Sequence, residues 1–191
     1  MKPRTVKWLF LKFFLFLIVG LILWTYFQLS YSKLLISASQ VVLSWTEKGE
    51  ETSLRLQRNM ILFIPLGLVS KEKKEADVPV GGRDVRSIHY NSVILFALIF
   101  FTPGISLGKR GWVLILGFAL LFFTQVLTVV VQVKFFYAFQ ISQYSVIHYG
   151  SWGRNIYGFL KQFFELVGRF SFPFVIWMGF TYREVRGFLT G

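Results

Sequence analysis

The sequence predicts an all-α membrane protein with four transmembrane helices, two interfacial amphipathic helices and a small external β-containing loop. Three observations carry that reading. Apolar residues make up 54% of the 191 and gather in long runs, the clearest being Trp8–Leu29 with Lys12 as its one charge. Lys and Arg cluster at the ends of these runs on alternating sides. The stretches between the runs are amphipathic or alternating and not uniformly apolar.

Residues 1–30 are expected to form the first span. Lys2, Arg4 and Lys7 precede Trp8–Leu29, while Trp24 and Tyr26 sit where amphipathic rings favour the outer interface. Met1-Lys2-Pro3-Arg4 fits the start of a signal peptide, but the apolar stretch is longer than the usual h-region of about 7–15 residues. No A-x-A site follows closely, so the expectation is an uncleaved anchor.

Residues 31–90 are expected outside the membrane. In Tyr31–Trp45, the residues Leu34, Leu35, Ala38, Val41, Val42 and Trp45 recur at helical spacing. Ser32, Lys33, Ser37, Gln40 and Ser44 oppose them. This predicts an amphipathic helix lying on the outer leaflet or packed on a protein partner. In Glu47–Tyr90, alternation at Leu54, Leu56, Met60, Leu62 and Ile64 predicts two or three short strands. The run Lys71-Glu72-Lys73-Lys74-Glu75 reads as a solvated loop tip and Val78-Pro79-Val80-Gly81-Gly82 as a turn. Asp84–Tyr90 is expected to return as a strand.

Residues 91–138 are expected to form a transmembrane hairpin. Its first helix, Asn91–Pro103, stops at Pro103-Gly104; Gly108-Lys109-Arg110-Gly111 reads as a basic turn; and Trp112–Ala138 is long enough to tilt or project. Residues 139–169 read as an external loop, Phe139–Gly153, followed by a second amphipathic segment, Asn155–Arg169. Its stripe is Ile156, Leu160, Phe163, Phe164 and Val167, with Lys161, Gln162 and Glu165 off it. Residues 170–191 hold the fourth span, Phe170–Tyr182, with Pro173 in its first turn, and a tail bearing Arg183 and Arg186. The basic markers Arg4/Lys7, Lys109/Arg110 and Arg183/Arg186 then share one side. Both termini are expected in the cytoplasm of a bacterial inner membrane.

The formal net charge of +12 is spread over span ends and one loop, which fits contact with anionic lipid headgroups and not a nucleic-acid patch. The absence of cysteine excludes disulfides, thiolate metal sites and a cysteine nucleophile. The only two histidines occur in similar strings, Ile88-His89-Tyr90-Asn91 and Ile147-His148-Tyr149-Gly150, both assigned to the outer boundary. Gln125, Thr128 and Gln132 share a helix face with Thr124, and Arg154 belongs to the same layer. The candidate site is therefore an outer polar layer of His89, Tyr90, Asn91, Gln125, Thr128, Gln132, His148 and Arg154. A second reading makes the Gln and Thr side chains interhelical hydrogen-bonding groups and the His-Tyr pairs interfacial anchors. Two histidines and Asn91 are too few for a metal set, and no HExxH, GxSxG, P-loop or GxGxxG is present, so no catalytic residue, metal or cofactor is assigned. No acid lies midway in a span, which argues against a proton relay or an ion-coupled transporter.

Ile88-His89-Tyr90-Asn91 leads into Phe96-Ala97-Leu98 and Thr102-Pro103-Gly104, and Tyr31-Ser32-Lys33-Leu34-Leu35 precedes them. This arrangement resembles the small membrane proteins that accompany exosortases, bacterial enzymes that sort envelope proteins. By layout the resemblance covers about the first 130 residues, and by motif about twenty. It implies a partner of the processing enzyme and not the enzyme itself, since exosortases use a catalytic cysteine and more helices. The expected function is that of a non-catalytic accessory protein acting with other membrane proteins in an inner-membrane complex. The alternatives are a minor subunit of a larger energy-transducing or transport assembly, and a small membrane enzyme built on His89 and His148.

Overall fold

The computed structural model describes residues 3–47, 51–68 and 80–190, and the side chains of these apart from 3–6, 142, 143 and 188–190. The order is α1 (Pro3–Thr46), β1 (Thr52–Gln57), β2 (Met60–Pro65), a short 3-10 turn (Leu66–Leu68), β3 (Gly81–Asp84), α2 (Arg86–Phe101) and α3 (Leu107–Phe139). There follow α4 (Ser142–His148), α5 (Ser151–Gln162), a π-helical segment (Phe163–Gly168) and α6 (Arg169–Thr190). The chain divides into two units. One comprises residues 1–28, 89–123 and 168–191; the other comprises 29–88 and 124–167.

The first unit is a helical bundle with α2 at its centre. Leu95 and Ile99 of α2 join Val113 and Leu121 of α3 in a buried cluster, with Phe172, Ile176, Trp177 and Phe180 of α6 packed against it. On α1, Gly20 lets Val93 and Phe96 approach the helix backbone, and Phe13 meets Phe101 edge-on at 5.6 Å. A helix that is apolar all round is covered by protein or by lipid, and α2 is buried within the protein at most positions. The outer faces of its neighbours are left apolar: Phe10, Phe14 and Ile18 on α1, and Ile115 and Phe123 on α3, are all exposed. Such surfaces suit lipid or a partner helix.

The second unit carries a three-stranded antiparallel sheet in the order β1-β2-β3. A tight turn at Arg58-Asn59 sets the register, with Leu54 opposite Phe63 and Leu56 opposite Ile61. Arg58 takes φ +55° to make the turn, a conformation in which glycine or asparagine is usual. The later part of α1 secures the sheet. Gln40 reaches along the β1 edge, its Nε2 donating to the Thr52 carbonyl at 2.6 Å and its Oε1 accepting from the Leu54 amide at 2.9 Å. One amide side chain thereby acts as a short stretch of strand and occupies an otherwise open edge. Glu47 accepts from both the Thr52 amide and the Thr52 hydroxyl. Thr52 also shares a 2.9 Å hydrogen bond with the Tyr137 hydroxyl of α3. The Nζ of Lys134, a buried residue, donates to the Thr46 carbonyl at the end of α1.

Three helical runs, Lys7–Thr46, Leu107–Phe139 and Ser151–Gly187, are long and apolar enough to cross a membrane, while α2 is a shorter apolar helix. Its 16 residues span about 24 Å, against a hydrocarbon core of about 30 Å. Several other expectations are corrected. The anchor and the first amphipathic helix are one helix, α1, because neither glycine nor proline interrupts the chain between Gly20 and Thr46. Its buried face there is Ser32, Leu35, Ser39 and Leu43, whereas Leu34, Val41 and Trp45 of the expected apolar stripe are exposed. The alternation in β2 does form a strand, in which Ile61, Phe63 and Pro65 are buried while Met60 is exposed and Leu62 and Ile64 are half-buried. Both faces of that strand are apolar, so its alternation could not choose.

Asp84–Tyr90 does not return as a strand. The returning strand is β3, and the Asp84 carboxylate accepts from the Arg86 amide at 2.9 Å, starting α2. The basic turn at Gly108–Gly111 is instead the first turn of α3. Ser106 caps that helix, its hydroxyl accepting from the Lys109 amide at 3.4 Å, and Gly104 makes the bend with φ +79°. The expected loop at Phe139–Gly153 contains α4 and the start of α5. The charge run at 71–75 and Val78-Pro79 lie outside the described residues.

Candidate functional site

Of the predicted polar layer, His89, Tyr90 and Asn91 belong to the first unit and Gln125, Thr128, Gln132, His148 and Arg154 to the second. In the first unit, His89 is buried with its ring edge-on to Trp24 at 5.3 Å. Tyr90 is exposed, with the Arg169 guanidinium 5.9 Å from its ring centroid. Asn91 is buried and its Nδ2 donates to the Gly168 carbonyl at 3.5 Å. That carbonyl ends the π segment, where the i→i−4 ladder is interrupted and a carbonyl needs another donor.

The rest belong to the second unit. Gln125, 1% exposed, accepts from the Tyr31 hydroxyl at 2.6 Å and donates to the Ile88 carbonyl at 3.1 Å, so it joins three segments of chain. Thr128 returns its hydroxyl to the Thr124 carbonyl one helical turn back, at 2.7 Å. His148 is exposed and lies flat on Tyr144, ring centroids 4.0 Å apart. Arg154 is half-buried on α5. Gln125 and Thr128 thus make ordinary structural hydrogen bonds. Among the described residues no three of His, Asp and Glu are grouped to hold a metal.

Gln132 leads to a different centre. Its Nε2 donates to Glu165 Oε1 at 2.9 Å. The same carboxylate pairs with the Arg83 guanidinium of β3, and Lys161 Nζ lies 3.4 Å from its other oxygen. Arg83 Nε also donates to the Ser87 hydroxyl at 3.2 Å. Each charged side chain is only about a fifth exposed, at 21% for Arg83, 22% for Glu165 and 23% for Lys161. These residues border a cavity of about 230 Å³, with Gln140 and the backbone of Gly81 and Gly82 on its wall. Gly81 is obligatory there, because a Cβ would stand 2.6 Å from Cδ2 of Phe136.

Three local features build this centre. The π segment holds Glu165, and π-helical turns recur where a side chain must be re-aimed. The close fit of Gly81 on Phe136 brings β3, and with it Arg83, against α3. The ring of Phe135 lies under Lys161, 4.6 Å from Nζ to the centroid, and holds the cation beside the carboxylate. Sequence reasoning named Gln132 and missed Arg83, Lys161, Glu165 and Gln140. Their separation along the chain hides them, since Arg83 and Glu165 are 82 residues apart. One local signal was present: Glu165 is an acid off the apolar stripe of an amphipathic segment, with Lys161 four residues before it.

A family model described as "exosortase H-associated membrane protein" matches residues 3–184. The chain belongs to that family. No curated protein and no solved structure matches it. The family match extends beyond the motifs around Ile88–Asn91 and Thr102–Gly104 to include α5, the π segment and most of α6. Arg83, Gln132, Lys161 and Glu165 all fall within the matched region. Membership of this family and the apolar helices together make the chain a membrane protein of exosortase systems.

Proposed function

We propose that this chain is a non-catalytic accessory subunit that binds an exosortase in a bacterial inner membrane. The observation that carries the proposal is the family match over residues 3–184. The exposed apolar faces of α1 and α3 support it, offering helix surfaces to a membrane partner. α2 makes the fourth crossing in this reading, its short length tolerated because protein and not lipid surrounds it. Both termini face the cytoplasm. Within the first unit, the Phe13–Phe101 and Trp177–Thr102 contacts bring the start of α1 and the later part of α6 to the C-terminal end of α2. Lys109, Arg110 and Glu184 gather at that end. Lys109 pairs with Glu184, and Arg110 donates to the carbonyls of Phe100 and Thr102.

The test is gentle-detergent purification of the tagged full chain from its own membrane. An exosortase should be recovered with it in stoichiometric amount; recovery of a large respiratory or transport assembly instead would overturn the proposal. Orientation is tested separately, because the chain has no cysteine to interfere. Arg55→Cys should react with an impermeant maleimide from outside intact cells, and Leu107→Cys only after permeabilisation. The reverse pattern would invert the topology.

A further inference from the structure

We infer that the cavity beside Arg83, Lys161 and Glu165 is a binding site for the anionic headgroup of a phospholipid. The charge count is the first argument. One carboxylate, Glu165, faces two cations, Arg83 and Lys161, and all three side chains are largely shielded from water. The site keeps one uncompensated positive charge, and a cation held away from water calls for a counter-anion.

The donor set is the second argument. Lys161 uses one direction on Glu165 and Arg83 retains guanidinium N–H groups beyond those on Glu165 and Ser87. Gln140 and the backbone at Gly81 and Gly82 border the same space. Side-chain N–H donors from Arg83, Lys161 and Gln140 around one space are what a phosphate diester needs, and a cavity of about 230 Å³ is of the size of a headgroup and not of a whole lipid.

The third argument selects a lipid over a soluble anion. Trp152, Ile156 and Phe159 of α5 are exposed and lie on one face of that helix. Arg154 and Lys161, seven residues apart, share a different face. A short helix with aromatic and aliphatic residues on one side and basic residues on another belongs at the headgroup level of a bilayer. Lys161 then joins that surface to the cavity. This site does not depend on which enzyme the chain accompanies.

The experiment uses the full chain in detergent, titrated with dioctanoyl phosphatidylglycerol and, separately, with inorganic phosphate, with bound molecules counted by native mass spectrometry. One phosphatidylglycerol should bind saturably per chain, and inorganic phosphate should not displace it at equal concentration. Lys161→Gln should weaken binding about tenfold and Lys161→Arg should restore it to within about threefold. Glu165→Gln removes the opposing charge while keeping one amide oxygen that can accept from Gln132 and Arg83, and should tighten binding about threefold. Arg55→Gln, which removes one exposed charge away from the cavity, should leave affinity unchanged. Equal weakening by Arg55→Gln and Lys161→Gln, weaker binding in Glu165→Gln, failure of Lys161→Arg to restore affinity, or equal competition by inorganic phosphate would each overturn the assignment.

Discussion

The helical bundle and the sheet-bearing unit differ in how much of their packing rests on side-chain hydrogen bonds between distant segments. In the bundle, the buried cluster of Leu95, Ile99, Val113 and Leu121 is apolar, and the charged contacts of Lys109, Arg110 and Glu184 sit at one end. Large aliphatic and aromatic side chains pack without a directional requirement, so many sequences would satisfy the same geometry. In the sheet unit, fixed side-chain hydrogen bonds span long stretches of chain: Gln40 on β1, Gln125 between Tyr31 and Ile88, and Gln132 on Glu165. Each such bond demands one donor in one place. The bundle is therefore tolerant and the sheet unit brittle, and the brittle unit contains the cavity.

The largest expected break is Gly81→Val. A side chain there collides with the ring of Phe136, which is 4% exposed and has little room to move. A loss of about 1–3 kcal/mol is expected, read as faster protease cleavage in the sheet unit. In the bundle, Gly20→Ala meets only Phe96 and Val93 side-chain atoms, at 3.0 and 3.2 Å, and should cost less. Equal costs at the two glycines would erase the contrast between the units.

Gln40→Leu comes next. It keeps approximate size but strands the Thr52 carbonyl and the Leu54 amide, at a cost of about 1–3 kcal/mol. Hydrogen exchange should quicken at Leu54 before it does in α2; unchanged exchange would show that the edge is secured elsewhere. Thr102→Val in the bundle removes the acceptor of the Trp177 indole N–H, now at 2.7 Å. About 1 kcal/mol is expected, seen as a lower thermal midpoint in detergent. The smallest effect is expected at Lys109→Gln. The Lys109 side chain is 42% exposed in its pair with Glu184, so stability should change by less than about 0.5 kcal/mol. A midpoint shift as large as that of Thr102→Val would mean that the end charges support the bundle.

Much of the architecture was legible along the chain. The apolar run at Trp8–Leu29 and the long helix from Trp112 announce themselves by length and composition, and the motifs around Ile88–Asn91 and Thr102–Gly104 pointed to the family whose model covers residues 3–184. The polar layer was less legible. Gln125, Thr128 and Gln132 share a helix face in the sequence, yet Gln125 and Thr128 make structural hydrogen bonds while Gln132 faces a carboxylate. Helical periodicity gives a residue's face but not what stands opposite.

Composition and local spacing by themselves determined that the chain enters a membrane, since burying long apolar runs in lipid depends only on residues adjacent in sequence. They also settled that no thiol chemistry is available to it. Only the tertiary structure decided that later α1 buries its Ser32, Leu35, Ser39 and Leu43 face, which face of β2 is buried, and that Arg83, Lys161 and Glu165 meet. The physical reason is common to all three. A helix face, a strand face and an ion pair are each chosen by partners distant in the chain, and no local pattern encodes a partner that the fold has yet to bring near.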